Sequence, residues 1–143
     1  MFRKEESIKL KKEFWISFGK SFPRKWLLYN TKIKGFAFKF VATKKIALVC
    51  LDIEMKNEEL KNHYYNKLLS LKSILIHDFI KEVVYDSDYI LENGKSICRI
   101  YIKLQTKFSI HNKNSWQDAY AFFIFNMEQF ELFYYEYEDF IKS

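Results

Sequence analysis

Eight apolar residues near the C-terminus, Trp116, Tyr120, Phe123, Met127, Phe130, Tyr134, Tyr137 and Ile141, recur at spacings of 4, 3, 4, 3, 4, 3 and 4. That period is the seam of one long α-helix. Ser115 and Asp118 resemble a capping box at its start, so the helix is expected to run to about Ile141 and to span about 40 Å. Phe122, Phe125, Phe133 and Phe140 lie off the seam. So much apolar surface has to be covered either by the rest of the chain or by a second copy of it.

The remaining elements supply candidates for that cover. Residues 4–21 read as a helix, with Phe14, Phe18 and Phe22 stepping by four, Ile8 and Trp15 flanking them, and lysines on the other side. Pro23 closes it. The segment Arg24 to Lys34 is a basic connector whose Trp26, Leu27, Leu28 and Tyr29 are too apolar for a free loop. From Gly35 the period changes to two, and Phe36, Phe38 and Phe40 alternate with Ala37, Lys39 and Val41. A turn at Thr43 to Lys45 leads into Ile46 to Glu54, apolar on both faces and therefore expected to be a central strand. Asn57, followed by two glutamates, opens a second helix, with a stripe of Leu60, Tyr64, Leu68, Leu71, Leu75 and Phe79 reaching about Ile80. A second hairpin follows from about Val83 to Leu104, turning at Glu92-Asn93-Gly94-Lys95, where Asn-Gly favours a type I′ turn. A short strand near Phe108 to Ile110 is expected to complete the sheet.

The fold class is therefore α+β. The 143 residues are expected to form a single domain, 1–143, in which an antiparallel or mixed sheet of four or five strands, built from two hairpins, packs with three helices including the long aromatic one. With 49% hydrophobic residues, 3 Gly and 1 Pro, neither a linker nor a low-complexity segment interrupts it. No apolar run approaches a membrane span, and the N-terminus lacks the apolar region of a signal peptide, so a cytoplasmic protein with no membrane partner is expected. Cys50 and Cys98 each lie in an apolar run and read as buried free thiols.

Charge is distributed unevenly. Residues 1–50 hold 13 Lys or Arg against 3 acids, whereas residues 51–143 hold 11 against 15. Between Glu13 and Asp52 there is no acid at all, yet Lys20, Arg24, Lys25, Lys32, Lys34, Lys39, Lys44 and Lys45 fall there among nine aromatics. Cations interleaved with rings suit a polyanion whose bases stack, and equally suit a core rimmed by solvated lysines. The connector is the part of this run freest to meet a ligand, which makes Arg24, Lys25, Trp26, Lys32 and Lys34 the candidate nucleic-acid contacts.

Chemistry is harder to find. Within Asp52-Ile53-Glu54-Met55-Lys56, Glu54-x-Lys56 fits the second half of a PD-(D/E)XK nuclease pattern, in which two acids hold Mg²⁺ and a lysine assists. The first half needs an acid on the preceding strand, which has none. Glu13 is a further candidate carboxylate, and side chains 52 and 54 share a strand face on which the partner strand offers Lys39. His63, His77 and His111 are scattered, no Cys/His set has zinc spacing, and no Gly-rich loop cradles phosphate. No cofactor is expected, with Mg²⁺ entering only in the nuclease alternative.

Taken as a set, Glu13-Phe14-Trp15, Phe18-Gly19, Trp26-Leu27-Leu28-Tyr29 with Thr31 and Lys34, Asp52-Ile53-Glu54, Leu91-Glu92-Asn93-Gly94-Lys95 with Arg99, Trp116, and Leu132-Phe133-Tyr134-Tyr135-Glu136-Tyr137-Glu138 resemble the bacterial family catalogued as domain of unknown function 4268. The resemblance covers nearly the whole chain. It implies a domain found alone or behind a nuclease-like or restriction-related region, and hence a setting of nucleic acid. The favoured expectation is a non-catalytic binding module that contacts nucleic acid through the connector. Beside it stand a homo-oligomer paired through the last helix and a divergent metal-dependent nuclease using Glu54 and Lys56, with Asp52 or Glu13 as the further carboxylate.

Overall fold

Chain order is helix α1 (Lys4–Ser21), strands β1 (Phe36–Ala42) and β2 (Ala47–Ile53), helix α2 (Glu58–Ser70), the short helix α3 (Lys72–Ile74), strands β3 (Val84–Ile90) and β4 (Ser96–Lys103), and helix α4 (Trp116–Lys142). These come from a computed structural model that describes residues 3–143. The two hairpins join through β2 and β4 into one antiparallel sheet of order β1-β2-β4-β3.

Register follows from the alternation in the sequence. Phe36, Phe38 and Phe40 sit opposite Ile53, Leu51 and Val49, and these in turn meet Cys98, Ile100 and Ile102 of β4. All nine belong to the main core or pack against it. The alternate residues, including Lys39, Cys50, Asp52, Arg99 and Tyr101, form a second sheet face that stays outside that cluster. Every residue of β2 is nonetheless buried, as its two-sided apolar pattern requires. Cys50 and Cys98 are both buried free thiols, on opposite faces of the sheet.

Helix α4 supplies the rest of the core. Seven of the eight seam residues are buried and Tyr137 is half-buried, packed against Phe133 at 5.5 Å between ring centroids. The seam is covered within the chain. Phe14 and Phe18 of α1 meet it through Tyr120 and Phe123, while Phe38 meets Phe130 and Tyr134.

Four expectations need correction. The second helix does not run unbroken to Ile80: it stops at Ser70, where Leu71 leaves helical geometry (φ −97°, ψ 4°), and the chain resumes as α3 and a π-helical turn, Leu75–Phe79. The extra residue in that turn re-phases the chain after it, so that Ile80 is buried along with Leu71 and Leu75 ahead of it. Residues Phe108 to Ile110 add no strand; the Ile110 amide donates to the Thr43 carbonyl at 3.2 Å, while Phe108 and Ile110 are held by burial of their side chains. Ser115 does not cap α4 by its side chain: its hydroxyl donates to the Asn112 carbonyl at 2.6 Å and its oxygen accepts the Ser109 amide at 3.2 Å, while Asn112 caps a preceding 3₁₀ turn. Finally, the turn of the second hairpin is closed by the Gly94 amide on the Leu91 carbonyl with only Gly94 at positive φ (+84°), which is not the type I′ geometry.

Gly35 is a tighter constraint. It sits at φ +80°, its carbonyl accepts from the Glu54 amide at 2.7 Å, and a Cβ there would lie 2.5 Å from the Glu54 carbonyl oxygen. Gly35→Ala is expected to lower stability by about 2 kcal/mol, read from urea unfolding, whereas Gly19→Ala in α1 has open space and is neutral or stabilising.

Candidate functional site: a basic cleft and a cation-rich sheet face

The connector between α1 and β1 is held in place from α4. Glu131, buried in that helix, accepts the Leu27 amide at 2.6 Å on one oxygen and the Arg24 guanidinium at 2.5 Å on the other. Arg24 also reaches Glu128 at 3.0 Å, and its guanidinium lies 4.0 Å over the Trp26 ring. Trp26 in turn packs edge-on against Phe40, at 5.7 Å. Two of the five candidate contacts, Arg24 and Trp26, are thus bound into the fold. Lys25, Lys32 and Lys34 are exposed. Tyr29 does not anchor the connector to the core: it is 70% exposed, with the Lys39 ammonium 5.8 Å from its ring.

Two clefts flank Phe40. The smaller, of 370 Å³, is walled by Phe18, Phe22, Arg24, Lys25, Trp26 and Leu28 among others. The larger, of 1030 Å³, lies between the first half of α1 and the β1–β2 hairpin and extends to Tyr89 and Arg99. Its walls carry Lys4, Lys11, Lys44, Lys45 and Arg99 against a single acid, Glu92, with Trp15, Phe40 and Tyr89 as its rings. Sequence reasoning passed over Lys4, Lys11 and Tyr89 because they are remote in the chain; only the packing of α1 beside the hairpin brings them together. One trace of that packing is the 2.7 Å hydrogen bond between Ser7 and His111, next to the Ile110–Thr43 contact.

The three candidate carboxylates of the nuclease reading are each paired with a cation. Asp52 accepts Arg99 Nε and Nη2 at 2.8 Å each, one on each oxygen, and Lys39 Nζ stands 3.6 Å away. Lys39 is where strand pairing was expected to place it. A divalent ion at Asp52 would have to displace Arg99 from both oxygens. Glu54 lies just past β2 and pairs with Lys95 at 2.7 Å, a hydrogen bond that holds its carboxyl below the usual range. Lys56 is exposed, and Glu13 pairs with Lys113 at 2.7 Å on another part of the surface. Among the described residues no group of three His, Cys, Asp or Glu is placed to hold a metal ion.

Burial and the nearby Asp52 carboxylate push the Cys50 thiol far above its ordinary range, and burial raises Cys98 as well. No described helix is long and apolar enough to cross a membrane.

Sheet, helices and cleft define a small α+β domain with a basic, ring-lined groove. The family model described as domain of unknown function (DUF4268) matches residues 10–138, and the chain belongs to that family. No curated protein and no solved structure matches it.

Two outcomes follow from the buried groups. Asp52→Ala strands a buried guanidinium and is expected to cost about 3–5 kcal/mol in urea unfolding, whereas Asp52→Leu combined with Arg99→Met restores most of that loss. In the native protein both thiols are expected to resist an aromatic disulfide reagent at neutral pH and to react fully once denaturant is added; rapid native labelling would contradict the burial.

Proposed function

We propose that this domain is a non-catalytic module that binds nucleic acid, with phosphates held by the lysines of the connector and of the large cleft. The observation that supports it is the separation of paired from unpaired cations. Of the eight cations between Phe14 and Leu51, only Arg24 and Lys39 lie within 4.0 Å of a carboxylate of a described residue. Lys25, Lys32 and Lys34 stand on the connector, and Lys44 and Lys45 on the hairpin turn that walls the cleft. Because the acid-free run supplies no local counter-charge, these ammonium groups add to one field that favours a polyanion. Their neutralising partner then comes from outside the chain. With two free thiols and such a partner, we place the protein in the cytoplasm.

A second reading is favoured by one separate feature. Phe125, Leu132 and Tyr135 of α4 are 60%, 56% and 58% exposed and follow one another at heptad-type spacing. Under that reading two copies associate through this outward stripe, and a monomer mass in concentrated solution by light scattering removes it.

For the favoured reading, fluorescence anisotropy with labelled DNA and RNA is expected to show binding at low salt that weakens steeply as salt rises. Lys44→Ala with Lys45→Ala, and separately Lys32→Ala with Lys34→Ala, should each reduce the slope of log K against log salt by about 2, roughly one per phosphate contact. Absence of binding at low salt ends the proposal.

A further inference from the structure

We propose that the nucleic acid is single-stranded and that its bases stack on the tyrosines of the second sheet face, an inference that rests on the nucleic-acid reading above. The main core cluster lies on one face of the four-stranded sheet; on the other, Leu48, Cys50 and Ile97 are buried at the centre while Tyr89 and Tyr101 remain half-buried. Tyr89 and Tyr101 meet edge to face with centroids 5.5 Å apart. The Arg99 guanidinium lies 4.4 Å from the Tyr89 ring centre and is fixed there by both oxygens of Asp52. The guanidinium is therefore held against the Tyr89 ring before any ligand arrives. A ring backed by a fixed guanidinium is a strong stacking partner, because a base added to it extends an ordered stack without ordering the protein side chains.

Tyr89 and Arg99 are also walls of the large cleft, which ties the rings to the cations Lys4, Lys11, Lys44 and Lys45. The two components have different ligand requirements. Lysines on the rim serve any phosphate backbone, single- or double-stranded. Rings inside a cleft serve only bases whose faces are open, and in a duplex those faces are already stacked on one another. A duplex would fill the rim and leave the tyrosines idle. Tyr29 adds a third ring toward the connector, standing exposed beside Lys39, an arrangement that core packing does not account for.

Anisotropy on the intact chain tests this with four probes: a single-stranded DNA of about 12 nucleotides, RNA of the same sequence, the DNA duplex, and a DNA strand of the same length made of abasic sites. Base-bearing single strands are expected to bind about tenfold or more tighter than the abasic strand and tighter than the duplex. Tyr89→Leu should lower affinity for the base-bearing strands by about fivefold or more and leave the abasic strand unchanged, with circular dichroism melting confirming the fold. Equal binding of the base-bearing and abasic strands by the unaltered protein, or preference for the duplex, overturns the stacking inference while leaving phosphate binding intact. Binding to none of the four probes at low salt overturns both.

Discussion

Glu131 is the fastener on which the arrangement of this domain depends. A carboxylate buried in the middle of an aromatic helix is costly unless both oxygens find donors, and here they find a backbone amide and a guanidinium from the same connector, at Leu27 and Arg24. Two tyrosines of the same helix add to the fastening: the Tyr120 hydroxyl donates to the Phe14 carbonyl of α1 at 2.8 Å, and the Tyr134 hydroxyl donates to the Thr31 carbonyl at 3.0 Å. The rings of α4 fill the core while its polar groups hold the N-terminal segments. With α1 and the connector fixed this way, the cleft beside the hairpin has a defined shape.

The sheet solves a second problem, which is how to bury one face in a core and keep the other ordered. Asp52 and Arg99 are directly opposite in the β2–β4 register, so their pairing needs no displacement of the backbone. Each is nearly inaccessible, and a bidentate pair in that setting gives geometric definition more than net stability. What it defines is the position of a guanidinium under Tyr89. The same pairing occupies a carboxylate that a metal-dependent reading would have added to Glu54.

Much of this was legible in the sequence, and where it was not the reasons are physical. The bounds of α1 and α4 followed from apolar periodicity, and the hairpins from alternation and turn residues, because each is a local pattern of the chain. The break at Leu71 was not legible: no Gly or Pro marks it, and the π turn serves packing against the rest of the fold, a non-local cause. The Ser115 cap failed for a similar reason, since a hydroxyl can be taken by a neighbouring carbonyl that sequence does not rank. At the candidate site, the acid-free run identified the cations but not their fates. Arg24 was one of the five candidate contacts, and its capture by Glu131, 107 residues away, is a fact of tertiary structure. Conversely Lys4, Lys11 and Tyr89 carried no local signal, although the two lysines were plain as part of a basic helix face.

The acid-free stretch has one explanation that covers both its halves. Its rings point mainly inward: Phe14, Phe18, Phe36 and Phe38 are buried, and Trp15, Trp26 and Phe40 pack against the core. Packing therefore accounts for the aromatics but places no demand on the charge of the residues between them. Solubility alone would be met by either sign of charge, and mixed signs would stabilise the surface through local pairs, as Lys61 with Glu58 and Lys142 with Glu138 do elsewhere. A surface of unpaired lysines forgoes those pairs and carries mutual repulsion. The acids that do meet this stretch among the described residues, Asp52, Glu128 and Glu131, come from outside it and engage Lys39 and Arg24. Under the proposed function, the lysines that these pairs leave over are the ones whose charge is met by the phosphates of a nucleic acid.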